Sequence, residues 1–191
     1  MPAQWGQFRP VGRGQFYQIF HVNEHMLPDG DLAQKEDGYV VRIERYYDHP
    51  VEKVWEAITS PASIAQWLAH AAIDMREGGA IKFEFINYPD VMEGVITELK
   101  PMSVFAYTWK EKNGPDTLVR WELYPDGKTK CRMVLTHTKL GADAYSFGSG
   151  WQVHLEMMAD AMDGTVTEFY WNEPAWKALD GKYKDIMNAL K

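Results

Sequence analysis

Between residues 38 and 138 apolar side chains recur at every second position in short runs, and after residue 148 the period lengthens to that of a helix. Ile81, Phe83 and Phe85 alternate with Lys82 and Glu84, so one face turns to a core and the other to water. Phe105, Tyr107 and Trp109 share one side of Ser103–Lys110, and Cys131, Met133, Leu135 and His137 share one side of Thr129–Thr138. With Tyr39–Tyr47, Ile73–Glu77, Val91–Leu99 and Leu118–Tyr124, these runs predict about seven strands. Gly78-Gly79 reads as a two-residue hairpin, and Pro125-Asp126-Gly127 as a further turn. Two short helices interrupt the series after the first strand. His49-Pro50 opens one, with Val51, Val54, Trp55 and Ile58 on its apolar face, and Ser60-Pro61 opens the other, which carries Ile64, Trp67 and Leu68.

Ser149–Gly164 then places Trp151, Leu155, Met158 and Met162 on one stripe, widened by His154, Met157 and Ala161. Gln152, Glu156, Asp160 and Asp163 fall opposite and predict a solvent face. Ser149 with Gln152 reads as a capping box, and Gly164 as the stop signal. A lone apolar helix after a run of strands predicts a curved antiparallel sheet closed over that helix. Pro174–Lys191 repeats a helical period through Trp176, Leu179, Tyr183, Ile186, Met187 and Leu190. Ahead of the strands, Phe16–Val22 has the character of an extra strand and Leu27–Asp31 that of a turn. The expected organisation is an N-terminal extension over residues 1–37, a domain over 38–164, and a C-terminal helical extension over 165–191.

Composition narrows the function classes. A chain of 191 residues suits one domain with a substantial core, and 46% hydrophobic against 25% charged residues is ordinary for a globular protein. Eight Trp and ten Tyr mean either a dense core or an aromatic ligand wall. The net charge of −7, with no basic cluster, argues against nucleic acid and anionic membrane surfaces. No stretch approaches the roughly 18 apolar residues of a membrane span. A single cysteine, Cys131, and an N-terminus without an apolar signal region predict a cytoplasmic protein. The aromatic termini favour a homodimer over a monomer.

The order strand, two helices, six strands, helix arrives with recognisable wording. Its residues are Pro50-Val51-Glu52-Lys53-Val54-Trp55 with Pro61 and Trp67-Leu68, then Gly78-Gly79 and Gly94, Tyr107-Thr108-Trp109, Leu135-Thr136-His137, and Gly150-Trp151 with His154-Leu155. Over about residues 38–164 the chain resembles the START-like (SRPBCC) superfamily, and within it the homologues of the activator of the 90-kDa heat-shock-protein ATPase. The resemblance implies an α+β helix-grip fold, a curved antiparallel sheet wrapped around the long helix with a cavity between them. It implies a small apolar ligand, lipid-like or polyketide-like, as one occupant. It leaves open a co-chaperone-like, protein-interaction role connected with stress, and a cyclase- or hydrolase-like activity on an apolar substrate.

The chemistry legible in the residues favours binding. Candidate cavity residues are Trp67, Phe83, Phe85, Trp109, Trp121, Met133, His137, Trp151, His154, Leu155 and Met158. Methionines on the long helix can repack around varied ligands. His154, alone or with His137, is the candidate polar anchor, because a neutral imidazole near pH 7 both accepts and donates. A core histidine held by one backbone partner is the simpler expectation for either. No HxH, HExxH or CxxC spacing suggests a metal, no glycine-rich loop suggests a phosphate cofactor, and no nucleophile–base arrangement is visible. Glu84, Glu93, Glu98 and Glu122 alternate with apolar residues and belong on the solvent face.

Overall fold

The computed structural model describes residues 29–190, apart from 87, 112, 113 and 115. The strand expected at Phe16–Val22 lies outside the described residues. Eight strands form one antiparallel sheet: β1 (Gly30–Lys35), β2 (Gly38–Tyr47), β3 (Ala69–Ile73), β4 (Ala80–Phe85), β5 (Val91–Lys100), β6 (Val104–Glu111), β7 (Thr117–Asp126) and β8 (Lys130–Leu140). Their order is β1-β2-β8-β7-β6-β5-β4-β3. Six strands follow one another as a meander, and β2 pairs with the last of them through partners such as Ile43↔Leu135. The chain between β2 and β3 therefore crosses from one end of the sheet to the other. Helices α1 (Val51–Thr59) and α2 (Pro61–Ile64) make that crossing. Register shifts between Ile96 and Glu98 and between Tyr39 and Val41 mark bulges, which bend the sheet around its filling.

That filling is α3 (Ala144–Met162), against which α4 (Glu173–Ala189) packs. The fold is thus the expected α+β helix grip, with differences at particular elements. β1 is an additional strand, whose first two residues overlap the turn expected at Leu27–Asp31; its sequence GDLAQK buries Leu32 alone, and pairing with β2 supplies the strand. The Gly78-Gly79 hairpin is a six-residue loop instead, because β3 ends at Ile73 and β4 begins at Ala80. Gly78 there takes φ 76°, and the Gly78 amide bonds the Ile96 carbonyl at 2.8 Å.

The long helix begins at Ala144, five residues before the expected capping box. Ser149 lies buried inside it, with Oγ 3.0 Å from the Ser146 carbonyl. Gln152 caps nothing: its Oε1 accepts from the Tyr183 hydroxyl at 3.1 Å and from the Asp29 amide at 3.3 Å. The reason is α4. A Cβ on Gly148 would stand 2.8 Å from the Tyr183 ring, so the Gly148-Ser149 pair is the closest approach of two helices and not a helix start. Of the face expected in water, Asp163 is exposed and Glu156 half-buried, whereas Gln152 and Asp160 are covered and only 2% and 4% exposed. Asp160 holds the Tyr170 hydroxyl at 2.7 Å. Helix α3 ends as expected, with Gly164 in the left-handed region at φ 70°.

Helix α4 starts at a working cap, with the Asn172 side chain accepting from the Ala175 amide at 3.2 Å and Pro174 in the first turn. Its apolar face of Ala175, Leu179, Tyr183 and Met187 joins the same core as Leu32 of β1 and Met158 of α3. The Tyr183 hydroxyl also accepts from the Gly30 amide at 3.0 Å, fastening β1 to both helices. The centre is densely aromatic: Trp67 and Trp121 meet edge to face at 6.1 Å, and Trp121 and Trp151 at 5.6 Å. Each such ring contributes about 1.5–3 kcal/mol by leaving water.

Candidate functional site

The sequence candidates separate into two groups in space. Trp67, Phe83, Trp121, Met133, His137, Leu155 and Met158 are each no more than 1% exposed and fill the space between sheet and helix. Phe85, Trp109, Trp151 and His154 instead line an open cleft of about 660 Å³ where the first turns of α3 leave the sheet. The end of β4 supplies Phe85 and the middle of the sheet supplies Trp109. Helix α3 contributes Phe147, Gly150, Trp151 and His154. Trp171, Glu173 and Trp176, from the α3–α4 connection and the first turn of α4, complete the walls. Tyr88, Asp90, Asp143 and Tyr145 complete the rim.

His137 sits directly behind this wall. Thr117 gives its one hydroxyl hydrogen to the Trp109 carbonyl at 3.0 Å. Its oxygen lies 2.7 Å from His137 Nε2 and must therefore accept from it. On the other side Trp151 Nε1 donates to His137 Nδ1 at 3.0 Å. These bonds assign the Nε2–H tautomer and occupy both ring nitrogens. Burial among Trp109, Phe147 and Trp151 holds the imidazole neutral, its pKa pushed down to about 3. His137 thus orients the Trp151 ring directly, is tied through Thr117 to the backbone of Trp109, and offers no free nitrogen to a ligand.

His154 has the opposite arrangement. Its Nδ1 lies 2.6 Å from the Trp67 carbonyl, which can only accept, so Nδ1 carries the proton. Trp67 is itself fixed by a bond from Nε1 to the Ala57 carbonyl at 2.9 Å. The His154 ring is flanked by Trp171 at 5.1 Å, Phe169 at 6.4 Å and Trp67 at 6.4 Å. Burial lowers its pKa to about 4 and outweighs the backbone hydrogen bond, which acts the other way. Near neutral pH the residue is an uncharged imidazole whose Nε2 lone pair has no partner among the described residues. It is an acceptor at a cleft wall.

No carboxylate of the cleft is hydrogen-bonded to His154. Both oxygens of Glu173 are engaged, one by Trp171 Nε1 at 2.7 Å and one by Lys177 at 3.1 Å. Asp90 accepts from the Val91 amide at 2.9 Å. Cys131 is buried with its thiol pKa raised, mainly by burial, so it is not an activated nucleophile. Among the described residues no three His, Cys, Asp or Glu side chains are placed to hold a metal, and no helix is long and apolar enough to cross a membrane.

Sequence reasoning missed Trp171, Glu173, Trp176 and the rim residues of turns. The one available signal was the run Phe169-Tyr170-Trp171 in a stretch with no period, since three consecutive aromatics outside an element need a surface to cover.

A family model described as Activator of Hsp90 ATPase homolog 1-like protein matches residues 48–163, from the end of β2 to the end of α3. The chain belongs to this family. Within the Activator of Hsp90 ATPase homolog 1-like family the cleft is therefore composite. Phe85, Trp109 and α3 fall inside the matched segment, whereas Trp171, Glu173 and Trp176 fall beyond it. Solved structures share the fold. The crystal structure of CalU16 from Micromonospora echinospora has a TM-score of 0.68 at 24% identity, covering 86% of this chain and 98% of that one. EF2215 from Enterococcus faecalis, described as a conserved protein of unknown function, has a TM-score of 0.66 at 13% identity and covers 94% and 99%. DynU16, a protein of the dynemicin biosynthetic locus, has a TM-score of 0.62 at 21% identity and covers 69% of this chain and 49% of that one. At these identities the likeness is one of fold. No curated protein matches the chain.

Proposed function

We propose that the protein binds a small apolar ligand, lipid-like or polyketide-like, in the cleft between the sheet and the first turns of α3. The supporting observation is the cleft itself. About 660 Å³ of open space meets four tryptophans, two phenylalanines and one neutral histidine acceptor. Ligand pockets fall in the range of roughly 300–1,000 Å³ and combine apolar walls with a few placed polar groups. Trp67, Phe83, Trp121, Met133, His137, Leu155 and Met158 are buried away from this cleft, so ligand contacts in it fall on Phe85, Trp109, Trp151 and His154. The buried residues from Trp67 to Met158 act as the frame that holds those four in place. His154 Nε2 accepts from a ligand hydroxyl or N–H, while flat rings stack against Trp109, Trp151 and Trp171.

Binding is favoured over turnover because, among the described residues, no carboxylate of the cleft is bonded to His154. It is favoured over a protein-contact role for the C-terminal helix because the apolar face of α4 is already committed to α3. The test is titration of the full chain with N-phenyl-1-naphthylamine, a neutral probe that brightens in apolar surroundings and carries one N–H donor. The expected result is a saturable rise at one probe per chain. A rise that stays linear in probe, without saturation, overturns the reading.

A further inference from the structure

The walls of the cleft carry a charge pattern that a purely apolar ligand does not call for. Among the described residues three carboxylates, Asp90, Asp143 and Glu173, line it, and no lysine or arginine does. They line the same cleft as Trp109, Trp151 and Trp171, whose electron-rich faces attract a cation as carboxylates do. We propose that the cleft takes a protonated amine carried on an apolar body, the ammonium among the carboxylates and the body against the tryptophans. The inference rests on the ligand-binding reading above and specifies the class of ligand.

Each group contributes differently. Glu173 contributes least, since one of its oxygens accepts from Trp171 Nε1 and the other is paired with Lys177. Asp90 keeps one carboxylate oxygen beyond the one that receives the Val91 amide. Asp143 stands at the N-cap of α3 yet makes no side-chain capping bond, so its exposed carboxylate is not engaged by its own helix. Neither aspartate is paired with a lysine or arginine among the described residues. Two lysines work against an incoming cation: Lys177, paired with Glu173, and Lys184, whose Nζ lies 5.4 Å from the centroid of the Tyr145 ring at the rim. His154 adds no opposing positive charge, since it stays neutral well below pH 7. The amides at the start of α3 provide a further opposing influence, because a helix N-terminus prefers an anion. The carboxylate of Asp143 stands where it offsets that preference.

Three probes that share one ring system separate these influences: 2-naphthylmethylamine, protonated at neutral pH, 2-naphthylmethanol and 2-naphthoate. Calorimetric titration of the full chain at low ionic strength reads their affinities directly. One partly solvated ion pair together with one cation–aromatic contact gives the amine about a tenfold advantage over the alcohol. The carboxylate binds most weakly, and added salt shrinks the amine's advantage. In the double variant Asp90→Asn, Asp143→Asn the amine-to-alcohol ratio falls to within about twofold, by loss of the same Coulomb contribution. Asparagine keeps the acceptor for the Val91 amide and is a favourable N-cap residue, so the fold is retained. Equal affinity for amine and alcohol, tighter binding of the naphthoate, or a double variant that keeps the full amine advantage overturns the proposal while leaving the ligand reading intact. If none of the three probes binds, the ligand reading beneath it falls as well.

Discussion

Gly150 allows the cleft to be closed without touching the core. It lies inside α3 and lines the cleft, and a Cβ built on it meets nothing within 4 Å. Glycine in a helix interior costs roughly 0.5–1 kcal/mol relative to alanine, because the unfolded chain has more backbone freedom to lose. With space already present, Gly150→Ala recovers that amount. In a chain of 191 residues about 1 kcal/mol moves the melting temperature by about 2–4 °C, so the expected gain is about 1–4 °C. Gly150→Phe starts from the same unhindered β-carbon and sends its ring into the volume the ligand needs. Its melting temperature is expected at or above that of the natural protein, while the affinity for N-phenyl-1-naphthylamine falls at least about tenfold, as when one good pocket contact is lost. Differential scanning fluorimetry and the probe titration, run on the same samples, read both quantities. A fall of several degrees in either variant means that the space beside Gly150 is not open. Undiminished binding in Gly150→Phe means that the probe sits elsewhere, and either result refutes the reasoning.

Two residues away, Gly148→Ala has the opposite sign: its Cβ stands 2.8 Å from the Tyr183 ring, and forcing α4 outward costs about 1–3 kcal/mol in urea unfolding, so an unchanged midpoint rejects the packing account. The pH dependence follows from the two histidines. Both have folded pKa values below the unfolded 6.5, at about 3 for His137 and about 4 for His154, so the unfolded state takes up protons first on acidification. Stability is therefore complete above about pH 6.5 and falls toward pH 4.5 by about 1.4 kcal/mol per pH unit for each histidine. His154→Phe is expected to halve that slope in denaturant titrations, and an unaltered slope counts against burial as its origin. Trp171→Ala removes a half-buried wall that flanks His154 at 5.1 Å and Trp176 at 6.3 Å, and is expected to weaken probe binding about tenfold while costing under about 1.5 kcal/mol of stability. A loss of stability without a loss of binding would make Trp171 a core residue.

The parts of the fold legible in the sequence are those where local pattern and tertiary burial agree. Ile81 and Phe83, or Phe105, Tyr107 and Trp109, show a period of two because one face of each strand meets α3 and the other meets water. Legibility fails where a second layer covers the first. An amphipathic reading of α3 assigns Gln152 and Asp160 to water, but α4 and the connection before it bury both and satisfy them through Tyr183 and Tyr170. The same layer disguises the helix start: Gly148-Ser149-Gly150 has the composition of a cap, and its small side chains serve helix–helix approach on one side and the cleft on the other. At the site, Phe85, Trp109, Trp151 and His154 were within reach because they follow the periods of their own elements. Trp171 carries no period, and its place beside His154 is a contact across the α3–α4 connection that no local pattern encodes.

These observations together explain why open space occurs at one end of the grip. Around the middle of α3 large side chains face one another, Leu155 and Met158 being buried in the same core as Trp67, Trp121 and Met133. Nearer its start the helix presents the small Ser146 and Gly150 to the cleft, and the sheet answers with flat rings rather than branched chains. Small against flat leaves volume; large against large does not. That volume is bordered by His154, whose one hydrogen-bonded nitrogen is held by the backbone of Trp67, and it is closed by Trp171 and Trp176 from beyond the family-matched segment. The matched segment thus supplies the frame, the floor and the acceptor, and the chain after Gly164 supplies two of the four tryptophans and one of the three carboxylates. On the proposed ligand reading, selectivity among ligands of the same size is accordingly set as much by residues 171–176 as by the grip itself.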